Sequence, residues 1–285
     1  MDPKPLEGQV GQPDSLASSK RRVSVDQTFA NRATINTSFR NYFFQRLVAK
    51  EVRFEDVDFT YTIFDMCYLR KCKFMNCDFT GCRFVASSLY GSSFEGCVFD
   101  YSIFERTLVD GDILNVAFPG HENLKLKFAR TLRMNFQSLG DSDSTNKAIK
   151  MELAATMEHL WKCWHSSESY YRQKYSGWKR VETFLSWVNF KLWDYVWGNG
   201  ESLWKLGRAI AVLLLIVTVT DVHLMSKDGL MLPSYMDSLW HAPAVFFGIK
   251  SPAEYPEIYL AFILAARLLA VGLFLSIIIK RFNRR

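Results

Sequence analysis

The chain has little from which an active site could be built. Its 285 residues include five His. They show no Ser/His/Asp arrangement, no glycine-rich phosphate loop and no paired carboxylates in an apolar pocket. An enzyme is therefore not expected, and neither a catalytic residue nor a cofactor is assigned. Six cysteines fit no secreted disulfide spacing, and the N-terminus does not look like a signal peptide. Long apolar runs are missing until about residue 206. Residues 1–28, rich in Pro, Gly, Ser and charge, read as a disordered tail. Within that tail, SSKRRVS reads either as a basic patch or as a site for a basic-directed kinase.

What the chain does have is a clock. In FEDVDFTYTIFDMCYLRKCKFMNCDFTGCRF, starting at residue 54, phenylalanine returns every fifth position. Neither the strand period of 2 nor the helix period of 3.6 gives that spacing. Phe occupies 39, 44, 54, 59, 64, 74, 79, 84, 94, 99 and 104. Leu69, Leu89 and Leu114 keep the beat, as do Ala49 and Val109. Two places before each beat from Phe54 to Val109 stands a small or β-branched residue, such as Val52, Thr62, Cys72 or Ser87. The remaining positions are mostly polar, so each unit buries one large and one small side chain and turns a corner.

This pattern closely resembles the pentapeptide-repeat family; Val57-Asp58-Phe59 and Cys77-Asp78-Phe79 match its small–Asp–Phe core outright. The resemblance implies a right-handed quadrilateral β-helix with four units to each coil. The clear repeat, about 37–116, would give four coils, a rod of roughly 20 Å at strand spacing. Cys67, Cys72, Cys77 and Cys82 then fall on four successive faces, in the small inner slot, which suits packing better than a zinc site. Cys77 and Cys97 would stack as a buried thiol pair. One branch of the family mimics DNA with a dense acidic surface. Over 30–118 this chain has 10 Lys+Arg against 11 Asp+Glu, so neither mimicry nor a nucleic-acid partner is expected.

Beyond the repeat, KAIKMELAATMEHLWKCWH, from Lys147, has helix formers, with Met151, Ala155, Leu160 and Trp161 spaced for a buried stripe that would cover the last coil. His159, Cys163 and His165 lie close in sequence, but only the first two share a helical face, so no metal site is assigned. Gly177 is expected to break the helix. Trp178, Trp187, Trp193, Trp197 and Trp204, interleaved with Lys179, Arg180, Lys191, Lys205 and Arg208, then suit a membrane interface with anionic lipid.

Leu206–Leu224 and Ile258–Ile279, 19 and 22 residues, are apolar enough to cross a bilayer core. Lys205 and Arg208 precede the first; Lys280, Arg281, Arg284 and Arg285 follow the second. By the distribution of flanking cations, both chain ends and the repeat should face the cytoplasm of a multi-pass, two-span cell-membrane protein. The intervening loop resembles the pore loop of two-transmembrane, potassium-channel-like ion channels. Asp237, Leu239 and Trp240 match the opening of that family's pore helix, and Tyr255-Pro256 its exit. The filter departs: Phe247-Gly248-Ile249-Lys250-Ser251-Pro252 stands where potassium channels have Thr-x-Gly-Tyr-Gly. Arg267, tenth in its span, would lie about 15 Å deep at the helical rise. It would either pair with Asp221, or snorkel against backbone carbonyls, or, in an oligomer, ring a pore that repels cations. Gly272 is a candidate hinge.

The expected organisation is thus a β + α membrane protein. A tail (1–28) leads to a β-helix (29–118), a Trp-rich helical cap and collar (119–204), and a two-span domain with a re-entrant pore loop (205–285). The expected function is an oligomeric, tetrameric ion-channel-like protein. Its pore residues would be Phe247, Gly248, Ile249, Lys250, Ser251 and Arg267, and its cytoplasmic repeat would bind a protein or small ligand. The alternative is a non-conducting, membrane-anchored scaffold that binds a protein partner.

Overall fold

The computed structural model describes residues 21–29, 32–116, 119–225, 231–250 and 255–282. The chain divides into two compact units, Met1–Tyr175 and Ser176–Arg285.

The first unit is a β-solenoid of about four turns followed by helices. Its short parallel strands stack one coil apart, Phe44 beside Phe64 and Phe64 beside Phe84. One face carries β1 (Arg22–Val25), β3 (Tyr42–Gln45), β6 (Ile63–Asp65), β9 (Arg83–Val85) and β11 (Ile103–Glu105) in that order. A second carries β2 (Ala33–Ile35), β5 (Arg53–Glu55), β8 (Lys73–Met75) and β10 (Ser93–Glu95), and a third β4 (Val48–Lys50) and β7 (Tyr68–Arg70). The fourth is held by single bridges, Ser38 to Asp58, Asp58 to Asp78 and Asp78 to Val98.

The five-residue clock is the width of one face. Phe44, Phe64, Phe84 and Phe104 stack in one column, with centroids 5.6, 4.9 and 4.8 Å apart. Phe54, Phe74 and Phe94 form another, and Phe39, Phe59, Phe79 and Phe99 a third. The fourth column runs Phe29, Ala49, Leu69 and Leu89, all buried. Each complete coil thus holds three rings and one smaller side chain.

The small inner residues close backbone hydrogen bonds. Ser87 Oγ donates to the Phe64 carbonyl at 3.1 Å and accepts from the Cys67 N–H at 2.9 Å. Cys82 Sγ donates to the Phe59 carbonyl at 2.9 Å. The slot therefore takes a short side chain, which adds a hydrogen bond where it is Ser, Thr or Cys and only packs where it is Val52 or Val57. Burial pushes the Cys67 thiol up to about 12 and Cys72 to about 11. Cys97 is pushed up by the Cys77 sulfur beside it as well as by burial, and both thiols are free. The corner residues take positive φ, Glu51 at 60° and Lys71 at 54° among them. Glycine fills the corner at Gly81, where a Cβ would come within 2.6 Å of the Tyr61 ring.

Four expectations are corrected here. The solenoid begins inside the segment read as a tail, because β1 pairs with β3 from Arg22 onward; Ser24 and Thr34 replace phenylalanine at two beats and hide this coil. The helix lying directly on the last coil is not the one beginning near Lys147. It is α2 (Glu122–Leu139), which follows the short α1 (Ile113–Val116). Phe128 of α2 packs on Phe99 and Phe104. Asn135, fully buried, exchanges two 2.8 Å hydrogen bonds with the backbone of Thr107, while Thr131 Oγ1 accepts from the Phe104 N–H. These side chains supply what a further coil's backbone would. Behind α2 lies α3 (Ser142–His165), capped by Asp141 and then followed by α4 (Ser169–Lys174); Ala155 is buried, but Trp161 is 39% exposed rather than part of a buried stripe. Finally, the 119–204 segment does not behave as one collar, since the division between units falls after Tyr175.

The second unit is helical throughout its described residues: α5 (Trp178–Trp197), α6 (Leu203–Met225), α7 (Leu232–Phe246) and α8 (Glu257–Phe282). Gly177, with φ 57°, precedes α5, and Gly198 ends it in the left-handed conformation. Leu203–His223 and Glu257–Phe282 are long and apolar enough to cross a membrane.

Candidate functional site

The second unit encloses a small apolar core and a few polar side chains, and shows many large apolar ones outside. Val217, Ala242, Val245, Phe246 and Ile263 form a small core among α6, α7 and α8. Outside it, Trp240 (84%), Ile249 (79%) and Ile258 (86%) stand exposed.

Hydrogen bonds fix how α7 lies. Tyr235 meets His223, and Ser238 meets Asp221 and the carbonyl of Thr218. Advancing along α7 thus means moving back along α6, so the two run antiparallel. Fifteen residues at the helical rise carry α7 about 22 Å along its neighbour. Its carbonyls then close a tight turn: Ala244 accepts from both Ile249 and Lys250, and Val245 accepts from Gly248.

Gly248 has φ +77°, and a Cβ there would collide with Nη1 of Arg267. The guanidinium from the middle of α8 therefore lies against the turn that ends α7. No other residue but glycine fits there without displacing it. This juxtaposition joins two of the residues that the sequence singles out, Gly248 and Arg267. The expected pairing of Arg267 with Asp221 does not occur. Asp221 instead accepts hydrogen bonds from Ser238 Oγ and Tyr255 Oη, linking α6 to α7 and to the segment that leads into α8. Thr220 and Tyr259 bond at 2.5 Å beside it.

The other candidates are dispersed. Phe247 and Lys250 are exposed beside the turn, and Ser251 lies outside the described residues. On α7, Asp237 points outward, its side chain 78% exposed and 3.5 Å from His241; Leu239 and Trp240 are exposed as well. Helix α8 runs unbroken through Gly272, where a Cβ would meet nothing within 4 Å. Sequence reasoning missed Ser238, whose role depends on a partner on another helix, and it gave Tyr255 no bond to Asp221.

Charge is sorted along the unit. At the α5–α6 end, Lys205 pairs with Asp194 at 2.8 Å, Arg208 donates to the Tyr195 carbonyl and covers its ring, and Lys280 lies over Trp197. At the opposite end stand Asp221, Asp237 and Glu257. In the first unit, Cys163 lies 3.5 Å from His159, and no group of three metal-ligating side chains occurs among the described residues.

Four faces per coil, closed by parallel ladders, define the first unit as a β-solenoid. Within it, residues 77–111 match the family model for pentapeptide repeats, in 8 copies. Among solved structures the chain is similar to a pentapeptide repeat protein from the thylakoid lumen of Arabidopsis thaliana. The two are 15% identical, over 42% of this chain and 83% of that one, with a TM-score of 0.34. No curated protein matches the chain.

Proposed function

We propose that the second unit is a membrane-embedded, pore-forming module, assembled from several copies of the chain, that passes anions in preference to cations. In this reading α6 and α8 span the bilayer and α7 is a re-entrant helix. The cation-rich end, with Lys205, Arg208, Lys280 and Arg281, faces the cytoplasm, as does the solenoid. The solenoid serves as the interaction or sensing domain.

One observation carries the reading: Arg267, about 15 Å along α8 by the helical rise, meets the turn at Gly248 rather than a carboxylate. A guanidinium at bilayer depth costs at least ~2.5 kcal/mol and normally faces water or a partner. Set at the end of a re-entrant helix, a ring of such groups around a shared axis attracts anions. The outward apolar faces of α6 and α8 support burial in lipid and against neighbouring copies.

The test is ion flux into liposomes containing the purified oligomer. The expected result is anion-selective flux whose preference reverses in Arg267→Glu. A monomer without flux removes the pore and leaves the anchored-scaffold reading. Flux with unchanged preference in Arg267→Glu removes Arg267 from selectivity.

A further inference from the structure

The turn joining α5 to α6 contains hydrogen-bond donors that the protein does not satisfy. Trp197 Nε1 and Asn199 Nδ2 are both enclosed, and neither has an acceptor. Enclosed donors of this kind are rare, and each is answered by strain, an ordered water or a bound ion. The turn itself is unusual, with Gly198, Asn199 and Gly200 all at positive φ, 65°, 53° and 88°. Lys280, from the last turn of α8, reaches into it. Its ammonium lies 5.5 Å from the Trp197 ring centroid, and it packs so closely on Gly200 that a Cβ there would collide with Nζ.

The neighbouring charges are already used. Lys205 holds both oxygens of Asp194, Arg208 is bonded to the Tyr195 carbonyl, and Glu201 is engaged in a contact of its own. Lys280 is in no ion pair among the described residues. An ammonium, an indole N–H and an amide N–H on one turn make a set of donors, and the group that answers such a set has several acceptor oxygens and negative charge.

We propose that the Trp197–Gly200 turn and Lys280 form a binding site for a phosphate group, taken either from an anionic phospholipid headgroup or from free phosphate. The site needs no conduction and holds equally for an anchored scaffold. Its position at the start of α6 and the end of α8 is where headgroup phosphates lie if these helices span a bilayer.

The experiment uses the full chain purified in a neutral detergent. Native mass spectrometry counts retained phosphatidylglycerol against phosphatidylcholine, and titration calorimetry measures inorganic phosphate. Lys280→Gln is expected to weaken binding by about tenfold or more, the usual loss for a charge-assisted hydrogen bond. Trp197→Phe keeps the ring under the ammonium and removes only the N–H, so a loss of about three- to tenfold is expected. Lys150→Gln, which removes an exposed charge on α3, is expected to change nothing. Preference for phosphatidylglycerol without calorimetric heat from phosphate assigns the lipid source; saturable phosphate binding that competes with lipid assigns the free anion. Equal weakening by Lys150→Gln would reduce the effect to net charge and overturn the site. Unchanged binding in both Lys280→Gln and Trp197→Phe would do the same.

Discussion

The two units dispose of apolar side chains in opposite ways. The solenoid hides its phenylalanines in three stacked columns and surrounds them with charge, so it is complete as a single chain. The helical unit hides Ser238 and Thr218 and half-buries Asp221 between helices, and shows Trp240, Phe262, Leu268 and Phe274 to its surroundings. A water-exposed surface of that composition is rare in a soluble monomer. The contrast teaches that the first unit's stability is internal, whereas the second unit's depends on what covers it.

Several substitutions would break or sharpen that contrast. The largest effect belongs to Phe79→Ala. Its ring is fully buried between Phe59 and Phe99, so removing it is expected to cost about 3–5 kcal/mol in denaturant unfolding of the full chain. Next comes Asn135→Ala, which strands the Thr107 N–H and carbonyl at the capped end; a loss of about 2–3 kcal/mol is expected by the same measurement.

Leu268→Ser asks the same question of the other unit. At 63% exposure it should cost almost nothing if that face meets water. With lipid or a second copy over it, thermal unfolding in nanodiscs should show a loss of about 1–2 kcal/mol.

A pH effect follows from His159, whose pKa burial holds below its usual 6.5, with Lys174 adding to the shift. Above pH 6.5 the stabilisation is complete. As the pH falls from there toward the depressed value, the unfolded chain takes up a proton that the folded one refuses, and stability drops. His159→Phe should flatten that slope in a series of Tm measurements. The smallest change is a gain: Glu51→Gly relieves a left-handed corner and should stabilise the solenoid by about 0.5–1 kcal/mol.

Much of the solenoid was legible because its period is a property of composition: a phenylalanine every five residues needs no knowledge of partners. The first coil escaped because Ser24 and Thr34 occupy beats where the stacked positions above carry Phe44 and Phe54. The cap escaped as well, although Leu124, Phe128, Leu132 and Phe136 recur every fourth residue and could have revealed α2. What no local pattern encodes is Asn135 imitating a coil's backbone. The same limit applies to the helical unit. The two long apolar helices can be read directly, but the choice of Ser238 and Tyr255 over Arg267 as partners of Asp221 depends on how α7 folds back. Gly248 beside Arg267 is legible only in three dimensions.

Stacking by complete coils, each of four units, has a consequence for how such a chain can change length. Adding or losing one five-residue unit would swing everything beyond it through a quarter revolution about the long axis, re-aiming the capping helix and its attachments. Only whole coils leave that heading unaltered, so growth by fours lengthens the rod while growth by ones steers it.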